Sequence, residues 1–359
     1  MAYTDIDDPT INFNTVTYTG NVDESSSNGS QAITGVGFQP DWVWIKPRTL
    51  GYAAGSHNLT DSVRGAGVGL FADLTAAEYD YGTSANGGTV TAFGSDGFTL
   101  GGASQVNEDS NTYVAWNWKA GTSFSNDASA TGVGTIDSTG SINTTAGFSI
   151  ISYSGTGTAG TIAHGLGSTP KMIIVKVRNF ATNWLVQHGS IASTKVLYLD
   201  AANAETTDGA FNDTLPTSSV FSVKTANGIN ASGKTYIAYC FSDVKGYLKI
   251  GKYEGNANAD GTFVYTGFLP AWVMVKNIDA AENWIIFDNK RPGYNLTDAL
   301  LKPNLSNAES TSGVKFDLLS NGFKARVSDA EGNSSNTFIY MAFAQSPFVN
   351  SNGVPTNAR

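Results

Sequence analysis

A ten-residue stretch occurs three times in this chain and constrains the fold more than any other feature. Its copies are Gly37-Phe38-Gln39-Pro40-Asp41-Trp42-Val43-Trp44-Ile45-Lys46, Gly167-Ser168-Thr169-Pro170-Lys171-Met172-Ile173-Ile174-Val175-Lys176 and Gly267-Phe268-Leu269-Pro270-Ala271-Trp272-Val273-Met274-Val275-Lys276. Each has a Gly three residues before a Pro, then an apolar run, then a closing Lys. Such self-similarity means that one structural unit is used repeatedly. In the first copy Trp42, Trp44 and Lys46 alternate with Val43 and Ile45, so both faces of a strand here carry apolar side chains. That pattern predicts a central strand buried on both sides. Pro40 fits the start of a strand, where a missing N–H is tolerated.

The surrounding segments recur in the same order. Phe148 to Gly155 matches Phe13 to Gly20, and Ile250 to Asn256 opens the third copy. Tyr113-Val114-Ala115-Trp116 is matched by Tyr236-Ile237-Ala238-Tyr239 and by Tyr340-Met341-Ala342-Phe343. The sequence therefore divides into an arm (1–12), repeat A (13–119), a Gly/Ser/Thr-rich extended connector (120–147), repeat B (148–246), repeat C (247–344) and a loose tail (345–359). Ile6 and Ile11 are the expected anchors of the arm. Short strands separated by Gly, Asn and Ser turns predict an all-β chain of three tandem β-sandwich modules, jelly-roll or lectin-like; a β-propeller with two blades per repeat is the alternative. At most a turn or two of helix is expected, at 56–64 and 297–301.

Composition narrows the function classes. Charged residues make up 14% of the chain, against about a quarter in ordinary soluble proteins, so Ser, Thr, Asn and Gly must cover the surface. The net charge is −9, and residues 120–170 contain no Lys or Arg. Nucleic acid and anionic membranes need basic patches and are set aside as partners. Cys240 is the only cysteine, which rules out an internal disulfide and reads as a buried small apolar residue. The first nine residues show neither the basic nor the apolar region of a secretory signal. A surface of this kind without an export signal suggests assembly into a particle inside a cell, followed by release on lysis.

No catalytic constellation is legible. His57, His164 and His188 lack zinc-site spacing, and there is no nucleophile elbow or phosphate loop. Asp80, Glu108 and Asp109 read as solvated loop acids. Ser95-Asp96-Gly97 and Asn258-Ala259-Asp260-Gly261 lack the alternating acids of a calcium loop. No metal or cofactor is expected. Asp61 and Arg64 recur as Asp288 and Arg291, whereas repeat B has His188 and Ile191 there; a structural ion pair is expected at each Asp–Arg step. Trp42, Trp44, Trp184, Trp272 and Trp284 sit at repeat-equivalent strand positions and read as core. Tyr79-Asp80-Tyr81 has no counterpart in B or C. Such tyrosines suit stacking on a sugar and suit a subunit interface equally well.

These residues also carry a resemblance. Met1-Ala2-Tyr3-Thr4, Ile6-Asp7-Asp8-Pro9, Tyr18-Thr19-Gly20-Asn21, the first repeat stretch and Asp61-Ser62-Val63-Arg64-Gly65 resemble a family of structural proteins of tailed bacteriophages, abundant in marine phages. Tyr113 to Gly121, Asn289-Lys290-Arg291-Pro292-Gly293-Tyr294-Asn295 and the ending from Pro347-Phe348-Val349 to Arg359 resemble it too. The resemblance spans essentially the whole chain. It implies a non-enzymatic virion component of the tail, its fibres or the capsid surface, and brings no catalytic residues. The expectation is a virion protein that contacts other virion proteins, forms a homo-oligomer under the symmetry of the particle, and contributes to attachment to host-surface polysaccharide. A capsid decoration protein and a surface-glycan depolymerase are the alternatives.

Overall fold

The computed structural model describes residues 3–23, 28–49, 55–292 and 295–357. Residues 1–2, 24–27, 50–54, 293–294 and 358–359, which include parts of the arm, of repeats A and C and of the tail, lie outside the described residues.

Module A contains β1 (Phe13–Thr19), β2 (Gln31–Ile33), β3 (Trp42–Pro47), β4 (Asn58–Asp61), β5 (Val68–Phe71), β6 (Tyr79–Asp80), β7 (Val90–Gly94), β8 (Gly97–Leu100) and β9 (Thr112–Trp118). Its large sheet runs β1-β9-β3-β4-β5-β6 and its small sheet β2-β8-β7. Module B has β10 (Thr122–Asn126), β11 (Ser138–Asn143), β12 (Phe148–Ser154), β13 (Gly160–Ala163), β14 (Met172–Val177), β15 (Leu185–His188), β16 (Lys195–Tyr198), β17 (Thr206–Thr207), β18 (Val220–Val223) and β19 (Thr235–Phe241). Its large sheet runs β10-β11-β12-β19-β14-β15-β16-β17, over the pair β13-β18. Module C has β20 (Leu248–Glu254), β21 (Phe263–Tyr265), β22 (Phe268–Asn277), β23 (Ile285–Asp288), β24 (Phe316–Leu319), β25 (Gly322–Ala325) and β26 (Thr337–Pro347), arranged as β20-β26-β22-β23 over β21-β25-β24. The orders β1-β9-β3-β4, β12-β19-β14-β15 and β20-β26-β22-β23 are the same motif three times.

The two-sided pattern of the repeat stretch is explained by two cores. Val43 and Ile45 face a core inside module A, with Val90, Phe98 and Leu100 of the small sheet. Ile173, Val175 and Val177 do the same in B, as do Val273 and Val275 in C. The opposite face belongs to one core common to all three modules. Trp42 and Trp44, Met172 and Ile174, and Trp272 and Met274 point into it. All seven tryptophans of the chain are buried there, including the five assigned to the core from sequence. Their rings interlock across modules: Trp42 lies 4.3 Å from the Tyr239 ring, and Phe13 stacks at 4.8 Å on Phe343. Such aromatic pairs each contribute roughly 0.5–1.5 kcal/mol beyond the area they bury.

The chain is thus all-β, three sandwiches around a pseudo-threefold axis. It is not a propeller, because the large sheets turn their faces rather than their edges to the axis. Register also refines the repeat alignment. Tyr113 lies opposite Pro47, Tyr236 opposite Val177, and Phe338 opposite Asn277, so Phe338 rather than Tyr340 is the third equivalent. A two-residue offset conserves the side-chain face of a strand, which is why the apolar pattern conceals it.

Residues 120–147 are not an extended connector. They form β10 and β11, which pair with each other and then with β12. Between them Asp127 caps the helical turn Ala128–Thr131, accepting from Ser129 N at 3.0 Å and Ala130 N at 3.1 Å. Outer strands need few apolar side chains, so the hydrophobic signal is missing. At Gly140 a Cβ would fall 1.9 Å from the Ile150 carbonyl oxygen, so glycine is required for this pairing. Of the two expected arm anchors, Ile6 is buried in the shared core and Ile11 is exposed. The tail folds back: Asp7 accepts from Ser351 N at 2.7 Å, and Asn357 Nδ2 donates to Ser320 O at 3.1 Å. Helix is absent from both stretches where a turn was expected: residues 58–61 are β4, and Thr297 bridges Phe316. Helical turns fall instead at Pro9–Ile11, Ser104–Asn107 and Ala128–Thr131.

Candidate functional site

The closing Lys of each repeat stretch has a specific task. Lys46, Lys176 and Lys276 share the inner face with the tryptophans and are fully buried. Lys46 Nζ donates to Pro47 O at 3.0 Å and across to Asn307 O of module C at 2.8 Å. Lys176 Nζ donates to Thr182 O and across to Thr75 O of module A at 2.9 Å. Lys276 Nζ donates to Asn277 O at 2.7 Å and across to Ala202 O of module B at 3.1 Å. The links run A to C, B to A and C to B, which closes a ring. Burial pulls each ammonium down to about 8.

Two further sets of contacts follow the same cycle. Trp184 Nε1 donates to Phe71 O and Trp284 Nε1 to Tyr198 O, both at 2.8 Å. His57 stands in the equivalent place in module A. Trp44 Nε1 donates to its Nδ1 at 2.9 Å, so the proton sits on Nε2, which donates to Lys302 O at 2.9 Å. Burial keeps this imidazole neutral. The backbone N–H groups of Glu78, Glu205 and Glu309 donate to the carbonyls of Arg178, Ile278 and Arg48 at 2.8, 2.9 and 2.8 Å. Two of these seams add bidentate ion pairs, Arg178–Glu78 and Arg48–Glu309. The third has Ile278 where the others have Arg.

The Asp–Arg steps are buried ion pairs that also bridge modules. Asp61 Oδ1 caps the turn by accepting from Arg64 N at 2.8 Å, while Oδ2 pairs with Arg64 Nε at 2.5 Å and accepts from Tyr239 OH of module B at 2.7 Å. Asp288 repeats this with Arg291 Nε at 2.7 Å and Trp116 Nε1 of module A at 2.9 Å. Module B has neither charge. His188 Nδ1 accepts from Ser190 N at 3.1 Å, and burial lowers its pKa to about 4. In the position of Tyr239 and Trp116, module C has Met341, which donates nothing. The carboxylate acceptor and its aromatic donor are both missing from that seam, where the His188 ring instead faces the Tyr340 backbone of module C.

The structure places Tyr79 and Asp80 of the expected ledge on β6, at the edge of module A's large sheet, with Tyr81 just after the strand. Tyr79 is 60% exposed and its ring meets that of Tyr81 edge-on at 4.6 Å. Asp80 Oδ1 accepts from Gly82 N at 2.8 Å, so this carboxylate shapes the turn. Burial raises the Tyr81 phenol. Glu108 is buried rather than solvated, and Asp109 accepts from Ser110 Oγ at 3.2 Å. Asp96 caps the amides of Gly35 and Gly37, and Asp260 pairs with Lys324 at 2.6 Å. Among the described residues no three of His, Cys, Asp and Glu cluster as metal ligands. Cys240 is buried, with its thiol pushed up to about 12.

Sequence reasoning missed the seam glutamates. The available signal was a Glu recurring at 78, 205 and 309, that is 38, 35 and 39 residues after Pro40, Pro170 and Pro270.

Residues 8–347 match the model of a family described as a domain of unknown function, DUF7483. No curated protein matches the chain.

Proposed function

We propose that this chain, which belongs to the DUF7483 family, is a non-catalytic structural protein of a bacteriophage particle, a tail or fibre component that contributes to attachment to host-surface polysaccharide. The observation that carries the reading is the ring of seams. The recurring polar residues, Lys46, Lys176, Lys276 and the two Asp–Arg steps, are spent on locking modules together. That is the economy of a part built to hold shape. The virion assignment draws on the resemblance to phage structural proteins and on the weakly charged surface. Partners under this reading are other virion proteins, further copies of the chain and a host glycan.

The pseudo-threefold body favours one second reading, a decoration protein seated at local threefold positions of a capsid. Cryo-electron microscopy of purified particles separates the two. A few copies at a tail tip support attachment, whereas hundreds over the head overturn it in favour of decoration.

A further inference from the structure

Exposed aromatic rings gathered around one cavity mark a binding surface, in contrast to apolar side chains exposed singly. Tyr265 is 62% exposed and Tyr3 is 59% exposed, and both line one cavity of about 600 Å³. This cleft lies where the amino-terminal arm, the B–C connection and the carboxy-terminal tail meet. Asp5, Asp243, Lys245 and Lys249 line it as well.

Its walls are held in place. The Lys245 carbonyl accepts from Asp5 N and from Thr4 Oγ1, both at 3.1 Å, which fixes the arm. Asp7 accepts from Ser351 N and Oγ, which ties arm to tail. The Lys245 ammonium lies 5.8 Å from the Tyr3 ring centroid. Asp243 pairs with Lys249 at 2.8 Å and also accepts from Ile250 N at 2.8 Å. The Tyr265 hydroxyl lies close to Gly267, 3.6 Å from where a Cβ would stand.

We propose that this cleft binds a neutral oligosaccharide of two or three pyranose units. A pyranose offers an apolar C–H face, which a tyrosine ring covers, and a rim of hydroxyls, which donate to carboxylates and accept from ammonium groups. Two acids and two bases cancel, which disfavours an anionic or cationic ligand. The volume lies within the range of ordinary ligand pockets, about 300–1,000 Å³. A preformed cleft loses little entropy on binding. The inference deepens the attachment reading and rests on it for the biological source of the sugar, but binding itself is a property of the free protein.

Saturation-transfer NMR of the full chain with maltotriose, laminaritriose and cellotriose tests it. Transfer to at least one trisaccharide is expected. Tyr265→Ala and Tyr3→Ala should each weaken that binding about tenfold or more, the loss of roughly 1.4 kcal/mol or more of contact. Tyr79→Ala, on the ledge of module A, should leave it unchanged, and melting curves confirm that each variant is folded. Absence of transfer from all three sugars, or equal binding by the Tyr3/Tyr265 double variant and the parent, overturns the proposal. Binding lost only in Tyr79→Ala overturns it too, while leaving the attachment reading in place. Cleft binding by a protein found over the head would sink attachment alone.

Discussion

The repeat strands bury two faces, and the two are chemically unlike. The outward faces of β3, β14 and β22 offer Val43 and Ile45, then Ile173, Val175 and Val177, then Val273 and Val275. The inward faces offer Trp42 and Trp44, Met172 and Ile174, Trp272 and Met274, each ending in a Lys. A sandwich has a fixed gap of about 10 Å, which β-branched residues from both sheets fill. Three sheets around an axis leave a wider triangular interior that aliphatics alone would not fill. Module A therefore carries four indoles into it, whereas B carries one, with Tyr239 and Phe241 beside Met172. The shared core is filled jointly; repeat equivalence there is one of volume rather than of residue.

The largest expected effect breaks the shared core. Trp272 contacts the rings of Phe13, Trp116, Trp118 and Phe343. Trp272→Ala should cost about 3–5 kcal/mol and speed amide exchange in β9, β19 and β26 together. Phe323→Ala, in the outer core of module C, should cost about as much by the same rule yet speed exchange mainly in module C. Equal spread of exchange in both variants would erase the distinction between the cores.

Next come the buried ion pairs. Asp61→Ala strands Arg64 in the core and should cost about 3–5 kcal/mol in chemical denaturation. Tyr239→Phe removes the cross-module donor to Asp61, and with it a long contact from Arg64 Nη2 at 3.5 Å, and should cost about 1.5–3 kcal/mol, the range for a hydrogen bond to a charged group.

The lysine ring gives a pH signature. Each ammonium has a folded pKa of about 8, below the ordinary lysine value of 10.5. Below pH 8 the lysines are charged in both states. Between pH 8 and 10 the unfolded chain binds more protons, so stability rises with pH. Above pH 10 the buried tyrosines, whose pKa values are raised, reverse the trend. Melting temperature should therefore climb from pH 8 to 10, and more weakly when Lys46, Lys176 and Lys276 are all replaced by Met. A fall across that window contradicts the assignment.

The smallest effect concerns the seam surface. Arg178→Ala leaves the Glu78 backbone link intact and removes a partly exposed pair, so it should cost less than about 1 kcal/mol. A larger loss would mean that side chains rather than the shared core hold the seams.

Much of this was legible in the sequence. The two-sided apolar run of Trp42 to Ile45 announced a doubly buried strand, and the recurrence of Gly, Pro and Lys announced three modules. What a doubly buried strand faces is not written in its period, so the common core was invisible. The lysines were visible as a repeat, but their partners, Asn307, Thr75 and Ala202, lie in loops of other modules whose backbone oxygens carry no sequence signature. Residues 120–147 were misread because outer strands made of Ser, Thr and Gly look like linkers. The terminal cleft escaped notice because Tyr3 and Tyr265 are 262 positions apart and line one cavity only in the folded chain.

Differential scanning calorimetry of the intact chain tests the shared core most directly. Three modules that share one core should melt together, with a calorimetric enthalpy close to the van't Hoff enthalpy, a ratio of about 1. Three resolved transitions, or a ratio near about 3, would mean that the modules fold independently, and would contradict the account.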